Sequence, residues 1–168
     1  MSFKEIKPEE LSFNPFARIG GQWMLVGAGK LGDMNTMTAS WGGAGVLWGK
    51  DVVTVYIRPQ RYTKEFVDRE ELFTLSFFDE KFRPALKLLG TVSGRDRDKI
   101  AEAGLTPCEA AGSVAFEEAN TVLVCRKMYS DAIRPERFYK EWDPNTWYPD
   151  KDYHEMYIAE IVKAFVRN

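Results

Sequence analysis

Two arginines, a tyrosine and a threonine fall within six residues, at Arg58, Arg61, Tyr62 and Thr63. A guanidinium can fork onto two anion oxygens, and the neighbouring hydroxyls add donors, so this turn has the chemistry to grip a phosphate. If Thr63 also caps a helix starting at Lys64, the helix N-terminus contributes free N–H groups and positive partial charge. Upstream lies a segment of the opposite kind: Asn35, then the small residues Thr38, Ala39 and Ser40, then Trp41 and a glycine pair. Small side chains let peptide groups approach a ligand closely enough to hydrogen-bond the edge of a flat polar ring. The two segments together suit a ligand with such a ring at one end and an anion at the other. Each also has an ordinary reading, since arginines after a strand are often solvated and a Gly-Gly pair often only turns the chain.

Other chemistries have less to work with. The carboxylate pairs Asp96/Asp98 and Glu117/Glu118 sit in ordinary charged contexts, no glycine elbow surrounds a serine, and one histidine leaves little material for a triad. The glycines from Gly42 to Gly49 lack both the Lys-Ser/Thr ending of a P-loop and the spacing of a dinucleotide fingerprint. Cys108 and Cys125 have neither CxxC spacing nor a histidine cluster beside them, so they read as packing residues and not as metal ligands. No residue is assigned as catalytic and no metal is expected. What survives is chemistry delegated to a bound cofactor, which needs no protein acid or base of its own.

The run Asn35, Met37-Thr38-Ala39-Ser40-Trp41-Gly42-Gly43, with Trp48, Arg58-Pro59 and Arg61-Tyr62-Thr63, resembles the flavin reductase-like family and, within it, the flavoredoxin branch. The likeness continues through Glu71 to Ser76 and through Ser93-Gly94-Arg95-Asp96 with Asp98-Lys99, so it spans most of the chain. It implies a mainly β fold with short helices, an FMN-binding split β-barrel, working as a homodimer with FMN held non-covalently near the subunit interface. By the same resemblance, Asn35, Thr38, Ala39, Ser40 and Trp41 match the segment lining the isoalloxazine edge and ribityl chain. Arg58, Gln60, Arg61, Tyr62 and Thr63 match the phosphate-proximal turn, and Lys99 a position near the phosphate; Arg58→Ala is then expected to lose FMN while staying folded. Many family members carry Gly-Asp-His before the last strand, with the histidine near the flavin or nicotinamide. Here the local sequence is Asp152-Tyr153-His154-Glu155, so the histidine matches and its predecessors do not. Use of NAD(P)H as electron donor, and a flavin- or nicotinamide-proximal role for His154, stay open. So do an electron-carrier role with a redox partner protein and, as an alternative class, a non-catalytic flavin-binding or sensing module.

The elements that must position these residues can be read from pattern. Residues 14–20 predict a short helix that begins at Asn14-Pro15 and stops at Gly20-Gly21. Residues 23–28, 36–41, 51–57 and 71–78 predict strands, with Val53, Val55 and Ile57 sharing one face. Residues 64–69, 82–89 and 98–103 predict helices, the second stopping at Gly90 and the third at Gly104. Residues 121–128 read as a strand apolar on both faces, as expected of a barrel wall covered by a helix or a second subunit. The last strand, 154–166, places Met156, Ile158 and Val162 on one side and Tyr157, Ala159, Ile161 and Phe165 on the other. Between them, residues 133–152 carry Phe138, Tyr139, Trp142, Trp147 and Tyr148, either as a surface loop or as a lid. Trp41 and Trp48 read equally as pocket or core.

Length and charge set the outer bounds. A chain of 168 residues, 45% hydrophobic, suits one domain spanning residues 1–168, without repeats or linkers. A formal charge of −2 from 23 basic and 25 acidic residues argues against a general nucleic-acid surface. No apolar run has membrane-spanning length and the start lacks a signal-peptide core, so no membrane association is expected and the cytoplasm is.

Overall fold

The computed structural model describes residues 3–12 and 14–167. Ten strands and four α-helices follow one another among the described residues: β1 Phe3–Ile6, β2 Met24–Lys30, β3 Asp33–Ala39, β4 Gly42–Leu47, β5 Lys50–Ile57, α1 Tyr62–Arg69, β6 Leu72–Phe77, α2 Arg83–Thr91, α3 Lys99–Glu102, β7 Pro107–Ala110, β8 Ser113–Phe116, β9 Thr121–Ala132, α4 Pro144–Trp147 and β10 Glu155–Arg167. The main sheet is antiparallel in the order β3-β2-β6-β9-β10-β5-β4. Strand β1 pairs with the C-terminal part of β10 that β5 leaves free. Strands β3 and β4 are the two ends of this path, yet only Ser40 and Trp41 separate them in sequence. A link that short forces the sheet to curl until its edges meet. No backbone ladder joins β3 to β4 or β5 among the described residues, which makes the barrel a split one, as the family resemblance implied.

Alternation along the strands fills two cores. Inside the barrel, Val53, Val55 and Ile57 of β5 meet Met24, Val26, Met37, Phe73, Leu75, Leu123 and Tyr157. Outside, Leu25 of β2 with Val122 and Val124 of β9 pack against Leu86 and Leu89 of α2 and against Ala115 and Phe116 of β8. From Thr121 to Cys125 the β9 wall is therefore buried on both faces, its outer cover coming from this chain's own helix and the β7–β8 hairpin, whereas Arg126 to Ala132 are half-buried or exposed. Cys125 lies in the inner core, where burial pushes its thiol pKa up, and both cysteines are free thiols.

Several elements differ from the sequence reading. Gly42 to Gly45 do not turn the chain but form β4, held extended by register pairing with Val52 to Val55 of β5. The turn comes later, at Trp48 and Gly49, both in the left-handed region that a two-residue hairpin demands. Gly90 does not stop α2 but lies inside it; a Cβ there would come within 3.2 Å of Thr38 Cβ, so the glycine lets the helix dock on β3. Helix α1 begins at Tyr62 with Arg61 as its N-cap residue, which places Thr63 within the first turn. In β10, register irregularities between Ile161 and Lys163 shift the alternation, so Phe165 joins Val162 in the outer core and Ala164 points inward. The predicted helix at 14–20 is a single wide-wound segment, Phe16–Gln22, started by Asn14 accepting from the Phe16 N–H.

Candidate cofactor site

The turn after β5 and the last turn of α2 meet at the base of a cleft of about 310 Å³, lined by Asn35, Arg58, Gln60, Arg61, Tyr62, Thr63, Ser93, Gly94 and Lys99 among others. The final carbonyls of a helix lack intrahelical donors and carry negative partial charge, so they attract cations. Two of them are used here: Arg61 Nη1 donates to Gly90 O at 2.7 Å and Lys99 Nζ to Leu89 O at 3.1 Å. Lys99 is only 3% exposed. It has no carboxylate partner among the described residues, and burial, aided by the charge of Arg61, pulls its pKa down to about 8. Burial, and then Arg58, likewise lower Arg61. Two cations held together without a counter-ion make a pocket that favours an anion.

Beside them Asn35 Nδ2 donates to Thr63 Oγ1 at 2.9 Å, both residues buried. Gly94 lies against this pair, where an added Cβ would sit 2.3 Å from Asn35 Oδ1. The phosphate-side residues expected from sequence are thus brought together, Tyr62 packing its ring edge-on to Phe66 and under the Arg95 guanidinium.

An adjoining pocket of about 160 Å³ shares Met37, Arg58 and Arg61 as walls and is completed by Thr38, Ala39, Ser40, Trp41, Tyr56 and His154. Thr38 spends its hydroxyl on Leu86 O at 2.5 Å, so what it offers a ligand is backbone. Trp41 is 42% exposed and belongs to this pocket, whereas Trp48, at 66%, lines neither.

Residues 147–154 fold back over the site of their own chain. Trp147 packs edge-on to Trp41 with ring centroids 5.6 Å apart. Arg58 pairs with the Asp152 carboxylate, donates to Trp147 O at 3.1 Å and lies over the Tyr148 ring. Gln60 Nε2 donates to the same Asp152 oxygen at 2.8 Å, and the hydrogen bonds from Gln60 and Arg58 hold that carboxyl below its usual range. The Tyr148 hydroxyl lies 2.9 Å from His154 Nδ1. Arg58 therefore belongs to both pockets, but its charge is already committed to Asp152. Sequence reading names Trp147 and Tyr148 as part of a surface loop or a lid at 133–152, but it assigns no site role to Tyr56 or to Asp152. Tyr139 and Trp142 of that stretch face outward, lining a larger cleft of about 490 Å³ with Phe138 and Met156. Its Arg134 is paired with Asp131 and it holds no buried cation, so it lacks the features of the anion pocket.

Among the described residues no helix is long and apolar enough to cross a membrane, and no cluster of histidine, cysteine and carboxylate side chains could hold a metal ion. No curated protein matches the chain by sequence. Solved structures do match its fold. An FMN-binding domain of a flavin reductases-like enzyme from Shewanella baltica aligns with TM-score 0.71 at 20% identity, covering 98% of this chain and 77% of that one. Flavoredoxin from Methanosarcina acetivorans aligns at 0.67 and 18%, covering 88% and 69%. Flavoredoxin of Desulfovibrio vulgaris (Miyazaki F) aligns at 0.66 and 22%, covering 87% and 69%. The sequence model of the flavin reductase like domain matches residues 16–168, and the chain belongs to the flavin reductase-like family.

Proposed function

We propose that this protein binds FMN non-covalently and moves electrons through it, as a flavoredoxin-like carrier or as an NAD(P)H:flavin oxidoreductase. The observation that carries the reading is the pair of cations, Arg61 and Lys99, at the base of a cleft whose other end is lined by small residues and aromatic rings. This donor set fits a phosphate monoester joined to a flat polar ring. Arg61, Lys99, Thr63 and the first-turn N–H groups of α1 would hold the phosphate, with Gln60 and Tyr62 beside it. Asn35 and the backbone of Thr38, Ala39 and Ser40 would line the ribityl chain and ring edge, with Trp41 against the ring. A bound flavin supplies hydride or single-electron chemistry. The chain's part is to orient the ring, exclude water from one side of it and present hydrogen bonds to its edge.

Trp147 against Trp41 narrows the approach by which a nicotinamide would reach the ring, which supports the carrier role with a redox partner protein. The edge strand β4, with Val46 74% exposed, and Trp48 in the turn after it, 66% exposed, support a homodimer in which a second copy covers that edge. Free thiols suit the reducing cytoplasm.

The deciding experiment is a titration of the purified protein with FMN and with riboflavin, followed by flavin fluorescence and the visible spectrum. Tight FMN binding with much weaker riboflavin binding is expected; a protein that ignores both would remove the reading. Anaerobic mixing of the loaded protein with NADH and NADPH separates the two roles, since no bleaching with either leaves the carrier, or a non-catalytic flavin-binding module if no redox protein bleaches it. Sedimentation at the mass of one chain would remove the dimer.

A further inference from the structure

His154 is a wall of the ring pocket, 7% exposed, with the rings of Trp41, Tyr148 and Tyr56 at centroid distances of 5.2, 5.5 and 6.5 Å. The one hydrogen-bond partner of its imidazole among the described residues is the Tyr148 hydroxyl. We propose that Tyr148 is a positioning residue: its hydroxyl donates to His154 Nδ1, fixes the imidazole as the Nε2–H tautomer, and so turns His154 into a hydrogen-bond donor toward an acceptor atom on the edge of the bound ring. The second half rests on the flavin reading above; the first does not.

The distance alone does not say which atom donates, but the surroundings do. The Tyr148 hydroxyl has no other acceptor among the described residues, and Tyr148 is 4% exposed. Were Nδ1 to carry the proton, the phenol hydrogen would be buried without an acceptor, a costlier arrangement than leaving an oxygen lone pair unused. The imidazolium form, in which both nitrogens donate, is opposed by burial and by Arg58 and Arg61, against which Asp152 pulls the other way; the balance keeps the ring neutral down to about pH 4. The titratable groups around the ring are thus Tyr56 from β5, Arg58 and Arg61 from the turn after it, and Tyr148 and Asp152 from the returning segment. Tyr148 is itself well anchored. Its N–H donates to Pro144 O at 2.9 Å, the Arg58 guanidinium covers its ring, and Tyr153 stacks beside it at 4.8 Å. A donor so held sets the tautomer as well as the tilt of the ring it bonds.

His154 is the only histidine in the chain, so protein labelled with ¹⁵N-histidine reports a single imidazole, and long-range ¹H–¹⁵N correlations distinguish its tautomers. In the flavin-free protein at pH 7 the Nε2–H form alone is expected, and Tyr148→Phe is expected to convert it to a mixture. A wild-type proton on Nδ1, or an unchanged tautomer ratio in Tyr148→Phe, overturns the proposal. If Tyr148→Phe does not fold, the wild-type spectrum still decides the tautomer. Adding FMN should move the Nε2–H resonance; FMN that binds without moving it overturns the donor role, whereas no FMN binding at all counts against the flavin reading and leaves the tautomer to be decided by the free protein. His154→Gln, whose amide N–H stands near the Nε2 position, should keep the bound-flavin spectrum and FMN affinity within about threefold, and His154→Asn should weaken FMN by roughly three- to tenfold. Equal behaviour of the two variants would also overturn the donor role.

Discussion

The two ends of the cleft are built from different parts of the chain and hold by different means. At the anion end, Arg61 and Lys99 are braced by the carbonyl oxygens that close α2, and Asn35 and Thr63 lock together beside them. Lys99, Asn35 and Thr63 are buried there, Arg61 is half-buried, and short helices support all four. At the ring end, Ala39 closes β3, Ser40 and Trp41 form the short link to β4, and Trp147, Tyr148 and His154 back them from far along the chain. The first end trades on charge kept out of water, where it is strong. The second trades on shape and on neutral hydrogen bonds, each worth less. Affinity should therefore reside mainly in the anion end, and ring orientation in the other.

The sharpest way to break that division is Arg61→Ala. It removes one charge-assisted contact of roughly 1.5–3 kcal/mol, so FMN affinity should fall by about one to two decades while riboflavin affinity hardly changes. Equal losses for both ligands would show that the charge does not read the phosphate. Next in size is pH. Because burial holds Lys99 at about 8, its proton is lost from the free protein above that pH, and FMN affinity should drop by about tenfold between pH 7 and 9 with riboflavin flat. Isothermal titration in buffers of different ionisation enthalpy should register the accompanying proton uptake.

Arg58→Ala should cost less FMN affinity than Arg61→Ala, only a few-fold, because the Arg58 charge is already neutralised by Asp152. A loss as large as that of Arg61→Ala would restore to Arg58, which lines both pockets, the place at the phosphate that the family resemblance implied. The smallest effect concerns stability. The unfolded chain takes up the His154 proton near pH 6.5, as a free histidine does, while the folded chain resists until about pH 4. Stability should therefore fall as pH falls through that window, by no more than one proton's worth of slope, and His154→Gln should flatten it. Urea melts at pH 7, 6 and 5 test this.

The anion end was partly legible in the sequence: the two arginines and the threonine announce themselves by type in one turn, whereas Lys99 came only from the family resemblance, and Asn35, assigned by that resemblance to the ring segment, is bonded to Thr63. The ring end was half legible. The small residues stood out, but the pairing of Arg58 with Asp152 spans 94 residues and that with Trp147 spans 89, and nothing local marks either. Strand β4 was hidden because Gly42, Gly43, Ala44 and Gly45 have no strand preference of their own, and their extended form is imposed by the ladder to β5. The β7–β8 hairpin was missed for a related reason. Its turn places Ala111 as well as Gly112 at positive φ, a conformation alanine does not advertise. Gly90 misled because a glycine that ends a helix and one that admits a neighbour look alike until Thr38 is seen against it.

Ser40 and Trp41 both bridge the open seam of the barrel and line the ring pocket. A molecule seated there would touch both sides of the seam, β3 on one and Tyr56 of β5 with His154 on the other, which no backbone ladder connects to β3. A ligand that binds only the folded chain stabilises it by mass action, by about 2.7 kcal/mol at a hundredfold excess over Kd. The edges at β3 and β4 should be the places where amide exchange slows most when the cleft fills.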